Sequence, residues 1–376
     1  MEELSLYIHI PFCARKCNYC DFLSAPATSN VQEQYLNALI NEIQQRSKSY
    51  KERRVHSIFI GGGTPSILPA EQIKKIMQEI KLCFNILKDA EVSIEVNPGT
   101  VHDCGDFGIY KDSGINRLSI GLQSADDKEL KLLGRIHSFE QFEATWKTAR
   151  QAGFDNLNID VMAALPGQTV ESYRNTLETV CRLQPEHISA YSLIIEEGTP
   201  FYEKYSNLID DDEYEETDRQ MYALTEEILL KHGYGRYEIS NYSLEGKECR
   251  HNKVYWQRLD YLGLGLGASS MINNVRYKNT DNLEMYIQAE GIAEYEDIQS
   301  LTVKEQMEEF MFLGLRLTEG VSVNKFKEYF GCSIDSVYGD VLKKNEEDGL
   351  LVKNGDMVKL TSKGRDLSNY VFAQFT

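Results

Sequence analysis

Along its first 195 residues the chain alternates short β-rich runs with stretches of helical apolar spacing, and this alternation limits the fold more than any other feature. Residues 4–10 alternate in polarity and predict a strand that ends at Pro11. Residues 55–60, 91–96, 116–121, 156–163 and 187–195 predict five more. Between the first two, residues 32–47 place Tyr35, Leu36, Leu39, Ile40 and Ile43 on one helical face. Further helices are predicted over 70–84, 139–152 and 173–183. Strands separated by helices pair in parallel, so the fold class is α/β, either a barrel or an open parallel sheet.

In such folds ligands sit outside the carboxyl ends of the strands. The chemically informative residues fall at those ends. They are a cysteine loop after the first strand, Gly61-Gly62-Gly63-Thr64-Pro65 after the second, and Glu95, Gln123 and Asp160 at later ones. One site built by several loops accounts for all of them.

The loop reads Cys13-Ala14-Arg15-Lys16-Cys17-Asn18-Tyr19-Cys20, whereas the other five cysteines are scattered singly and read as small buried residues. Three thiolates are one short of a closed four-cysteine site, and no histidine follows at zinc-finger spacing. Three ligands with a vacant corner suit a [4Fe-4S] cluster whose last iron is open to another molecule.

Charge excludes one class of function. The chain has 40 Lys and Arg against 58 Asp and Glu, a net charge of −18, and such a surface repels a phosphate backbone. Nucleic acid is therefore not an expected partner. No apolar run reaches membrane-spanning length, and Met1-Glu2-Glu3 does not open like a signal peptide, so a cytoplasmic protein is expected.

Beyond residue 200 the pattern changes. Residues 211–232 predict a long helix ended by Gly233, and the segment to about residue 290 reads as irregular. From Thr302 a helix-rich unit ends in two strand-like runs, 350–353 and 357–360, joined through Asn354-Gly355, the pattern of a small winged-helix-like domain. The expected division is 1–200, 201–295 and 296–376.

The Cys-x3-Cys-x2-Cys spacing, with an aromatic before the last cysteine, resembles the signature of radical S-adenosylmethionine enzymes. Around it, Tyr7-Ile-His-Ile-Pro-Phe-Cys13, Gly61-Gly-Gly-Thr-Pro65, Ile94-Glu-Val-Asn-Pro98, Arg117-Leu-Ser-Ile-Gly-Leu-Gln123 and Asn158-Ile-Asp-Val follow the order seen in the oxygen-independent coproporphyrinogen III oxidase family. The resemblance spans nearly the whole chain. It implies a partial (β/α)6 barrel with a C-terminal helix-rich, winged-helix-like domain. It implies that Cys13, Cys17 and Cys20 hold three irons of a [4Fe-4S] cluster while S-adenosylmethionine chelates the fourth. Gly62, Gly63 and Thr64 then lie against the methionine end, Tyr7 backs the cluster and Glu95 reaches the nucleotide. Gln123, Arg135 and Asp160 match positions that hold a second such molecule in the oxidase.

Two departures separate this chain from the oxidase. Phe22 stands where the oxidase has a further cysteine, and only six residues precede Tyr7. Both features resemble the haem chaperone branch of the family, and they put the second nucleotide site in question. His251-Asn252-Lys253-Val254-Tyr255-Trp256 resembles that branch's HNxxYW motif, in which an imidazole ligates haem iron and the aromatics stack on the macrocycle. The expected function is delivery of haem, as cargo, to a respiratory acceptor protein, with an electron donor for the cluster. Homodimerisation and peripheral membrane contact stay open. The alternative is the oxidase reaction, radical decarboxylation of porphyrinogen propionates to vinyls. His9 and His187 read as strand-packing residues. Tyr261-Leu-Gly-Leu-Gly-Leu-Gly-Ala268 mimics a dinucleotide fingerprint but lacks a clear preceding strand, so it reads as a close-packed glycine turn.

Overall fold

The computed structural model describes residues 2–101 and 103–376. Six parallel strands lie side by side in chain order: β1 (Glu3–Ile10), β2 (Arg54–Gly62), β3 (Asn85–Val96), β4 (Arg117–Gln123), β5 (Leu157–Ala163) and β6 (His187–Ser192). Helices α1 (Ser29–Arg46), α2 (Ala70–Cys83), α3 (Cys104–Asp112), α4 (Asp127–Leu132), α5 (Phe139–Gln151) and α6 (Val170–Arg182) carry the crossovers. This is the strand–helix repeat that the sequence predicts.

The strand alternation decides what each face meets. Leu6, Ile8, Ile58, Ile60, Ile94, Ile120 and Ile159 are fully buried and belong to the core shared with the helices. The intervening positions are polar or aromatic. Paired rows such as Glu95–Ser119–Asn158–His187 and Gly121–Asp160–Ser189 run across the inner face of the curled sheet. A polar inner face cannot close as an oily core, so it becomes a lined interior.

The sheet extends past both ends of this repeat. After α7 (Pro200–Tyr205) and α8 (Asp212–Lys231), β8 (Asn241–Ser243) adds antiparallel to β6, and β7 (Gly235–Arg236) adds antiparallel to β8 at the edge. After α9 (Arg250–Trp256), the glycine-rich stretch forms β9 (Tyr261–Leu264), which pairs in parallel with β1. Strands β10 (Ser269–Ile272), β11 (Val275–Lys278) and β12 (Glu296–Ser300) continue outward, with α10 (Leu283–Gln288) between the last two. Among the described residues, twelve strands thus share one sheet. The segment expected to be irregular therefore supplies both flanks of the sheet. Its strands are short, and glycines occupy alternate positions of the Gly263–Gly267 stretch, which removes the β-branched signal.

The glycine turn itself packs closely, as expected. A side chain at Gly265 (φ 101°) would meet the Tyr35 hydroxyl at 2.5 Å and the His9 carbonyl at 2.6 Å. The fully buried Glu42 of α1 fastens this turn, accepting from the Gly265 backbone at 2.8 Å, Asn279 at 2.7 Å and the Tyr286 hydroxyl at 2.6 Å.

The C-terminal unit has a separate core around Met311, Leu315, Phe326, Ile334, Leu342 and Leu360. It comprises α11 (Val303–Gly314), β13 (Val321–Ser322), α12 (Val323–Phe330), α13 (Ile334–Glu347), β14 (Leu351–Asn354), β15 (Met357–Leu360), α14 (Ser362–Asp366) and α15 (Ser368–Phe372). Its sheet has the order β13-β15-β14, and the β14–β15 hairpin turns at Gly355 in the left-handed region. Glu309 of α11 joins the two units, pairing with Arg258 at 2.9 Å and Arg276 at 3.0 Å.

Candidate functional site

A cavity of about 390 Å3 opens at the carboxyl ends of β1 to β6. Cys13, Cys17, Cys20, Gly62, Gly63, Thr64, Glu95, Gln123, Arg135 and Asp160 all line it. Ten residues spread over 148 positions of sequence therefore share one wall because nine sit at a strand end or in the loop that follows it, and Arg135 comes in from the loop between α4 and α5.

The cysteine loop is held by backbone. The Cys13 amide donates to the Ala25 carbonyl at 3.2 Å, and the Asn18 amide donates to the Leu133 carbonyl at 3.0 Å. Thr64 Oγ1 donates to Cys13 Sγ at 3.5 Å, and Arg135 Nη1 lies 3.9 Å from Cys17 Sγ. A Cβ at Gly63 would stand 2.6 Å from the Phe12 carbonyl oxygen, so only glycine lets this strand end approach the loop. Gly62 (φ 113°) lies against the His9 ring in the same way.

Glu95 Oε2 accepts from the Gly62 amide at 3.0 Å. Burial, and secondarily the charge of Asp160, push its carboxyl up to about 8. Asp160 is also raised by burial, against hydrogen bonds from Asn158 at 2.7 Å and Ser119 at 3.3 Å. Gln123 has a left-handed backbone (φ 74°) and accepts from the Tyr191 hydroxyl at 2.9 Å. Arg135 Nη2 donates to Asn97 Oδ1 and to the Gly121 carbonyl, both at 2.7 Å. The three residues matched to a second nucleotide are thus engaged with one another's neighbours. Tyr7 lies beneath the wall, its hydroxyl 3.0 Å from His9 Nδ1 and its ring stacked on Phe59.

The HNxxYW segment is elsewhere. It forms α9, which packs on β2, with its first turn bound by Glu91 of β3. Glu91 accepts from the Arg250 amide at 3.1 Å and from the His251 amide at 3.0 Å. His251 is 1% exposed. Its Nδ1 lies 3.0 Å from Ser57 Oγ and its Nε2 lies 2.9 Å from the Tyr255 hydroxyl. Burial, then the charges of His56 and Arg117, lower it to about 3, so the ring stays neutral. In this conformation neither nitrogen is offered to a ligand. Trp256 is partly buried under the Arg316 guanidinium, 4.4 Å from the ring centre. His9 and His187 are packed on their strands as the sequence suggests, His9 bonding the Leu23 carbonyl of the loop after Cys20 and His187 bonding Asn158 and Tyr237.

Three cysteines lining one cavity are a donor set that fits a [4Fe-4S] cluster. Among the described residues, no three His, Cys, Asp or Glu side chains converge as ligands of one metal ion. A [4Fe-4S] cluster puts each thiolate on a different iron, so three separated sulfurs around one cavity meet its needs.

The comparisons with known proteins agree with this geometry. Residues 7–180 match the Radical SAM superfamily model and residues 301–367 match the HemN C-terminal domain. Heme chaperone HemW of Bacillus subtilis is 39% identical, over 99% of this chain and 98% of its own. The chain belongs to the heme chaperone HemW family. HemW of Lactococcus lactis is 36% identical over 99% of this chain and 97% of its own, and that of Escherichia coli 33% over 100% and 98%. Among solved structures, the coproporphyrinogen III oxidase HemN of Escherichia coli superposes with a TM-score of 0.85 at 26% identity, covering 100% of this chain and 90% of its own. Membership of the HemW family within the radical SAM superfamily implies a [4Fe-4S] cluster and S-adenosylmethionine.

Sequence reasoning missed Asn97, Tyr191 and Glu91. Asn97 was legible as part of an Asn-Pro-Gly turn, but its bond to Arg135 depends on tertiary proximity. Tyr191 sits on the inner face of β6, which strand alternation from His187 and Ser189 does indicate.

Proposed function

We propose that this chain is a haem chaperone, which binds haem and hands it to an acceptor protein of the respiratory chain in the cytoplasm. The carrying observation is identity of 33–39% to HemW proteins along essentially the full chain. In this reading Cys13, Cys17 and Cys20 hold the cluster, which an electron donor protein reduces. When bound, the cluster with its nucleotide supplies an electron source and a chelated iron corner. Thr64 and Arg135 aim hydrogens at two of the thiolate sulfurs, stabilising their negative charge. Gly62 and Gly63 give the nucleotide a backbone wall, and Glu95 presents a carboxyl held ready by the Gly62 amide.

The test is an anaerobic haem titration of cluster-reconstituted protein, followed by absorbance. Saturable uptake near one equivalent is expected, and no uptake would defeat the reading. In parallel, anaerobic incubation with reductant and coproporphyrinogen III is expected to give no protoporphyrinogen IX. Its appearance would replace the chaperone with the oxidase.

A further inference from the structure

The mouth of the cavity carries two exposed features. Phe22, from the cysteine loop, is 64% exposed, and Ile194, from the segment after β6, is 69% exposed. Both line the cavity. Their two segments are tied together where the Phe201 amide donates to the Asn18 carbonyl at 3.0 Å and the Tyr19 and Phe201 rings meet. A single exposed apolar residue is ordinary, but two large ones bordering one opening form a surface that favours being covered.

The second feature is charge. Arg15 and Lys16 line the same cavity and are exposed. Among the described residues neither has an ion-pair or hydrogen-bond partner, in a chain whose net charge is −18. Acidic side chains at the rim are confined to Asp21 and Glu196 among the exposed lining residues. An apolar platform beside two adjacent exposed cations suits a flat apolar molecule with carboxylates along one edge.

Resting on the chaperone reading above, we propose that haem docks across this mouth, its macrocycle on Phe22 and Ile194 and its propionates toward Arg15 and Lys16. At about 390 Å3 the cavity has room for a nucleotide-sized ligand, so the macrocycle caps the opening instead of entering it. In this conformation the buried His251 ring spends both nitrogens on Ser57 and Tyr255, so the docking surface is built without it. Docking by shape and charge alone does not require iron.

The experiment titrates full-length, cluster-reconstituted protein with S-adenosylmethionine present, using haem (absorbance) and metal-free protoporphyrin IX (fluorescence). The parent is compared with Phe22→Ser/Ile194→Ser and with Arg15→Glu/Lys16→Glu. Retained cluster absorbance and nucleotide binding establish that each variant is intact, and single substitutions replace a pair that is not. Protoporphyrin IX is expected to bind the parent, and each pair of substitutions is expected to weaken both porphyrins by roughly tenfold or more. If the parent binds haem while protoporphyrin IX fails, or while the variants match the parent, this site is wrong and the chaperone reading stands. If the variants lose only the rate of cluster reduction by an acidic flavoprotein, the mouth serves the electron donor and the proposal is overturned. If the parent binds no haem, the chaperone reading falls and takes this site with it.

Discussion

Glu95 is a buried carboxyl in the wall of the cavity. Its acidity is displaced upward to about 8, mainly by burial and then by Asp160. A carboxyl raised in the folded state contributes stability below its unfolded value near 4.5, and that stability is lost as pH rises through 8. Ligand-free protein should therefore lose stability between about pH 6 and pH 8. Glu95→Gln should flatten that decline, gaining about 2 kcal/mol on the parent across the interval in chemical denaturation. On the proposed role of Glu95, the same variant should weaken S-adenosylmethionine roughly tenfold or more in equilibrium dialysis above pH 8, since glutamine accepts a hydrogen bond but cannot supply the carboxylate charge. A variant that binds the nucleotide as the parent does would remove Glu95 from the site.

Among the elements, α9 and the glycine turn depend most on single residues. The seven-residue α9 is too short to hold itself together, and its first amides rely on Glu91. Glu91→Ala should cost about 1–3 kcal/mol and should raise hydrogen exchange at residues 250–256 before it does so in β4 or β5. Gly265→Ala should cost about 1–3 kcal/mol or more, because it combines a left-handed backbone with contact against Tyr35 and His9. Thermal unfolding with a circular-dichroism readout checks both. The six parallel strands were legible because their outer positions, such as Ile58, Ile94 and Ile159, are strongly apolar. The inner positions marked the site because polar residues there had no other reason to alternate. The strand β9 was not legible, since Gly263 contributes no side-chain signal and its pairing with β1 joins residues more than 250 positions apart. The buried state of His251 was equally hidden, because Ser57 and Tyr255 become its partners only through packing.

In the whole molecule, two cores are joined by a buried charge. Glu309 is 6% exposed and bonds Arg258, whose side chain is itself largely buried. Removing it leaves a guanidinium buried without its counterion, so Glu309→Ala should cost about 3–5 kcal/mol. The two units would then melt as separate transitions in calorimetry, and a single unchanged transition would refute the coupling. The position of α9 has a further consequence. With α9 packed on β2 and its first turn bound to β3, the cavity that gathers the cysteines opens at the carboxyl ends of the strands. If cargo sits over that opening, nucleotide must load first and can leave only after the cargo departs. Such a protein works as a last-in, first-out stack: its nucleotide dissociation rate should fall as haem is added, and haem release to an acceptor becomes the step that resets it.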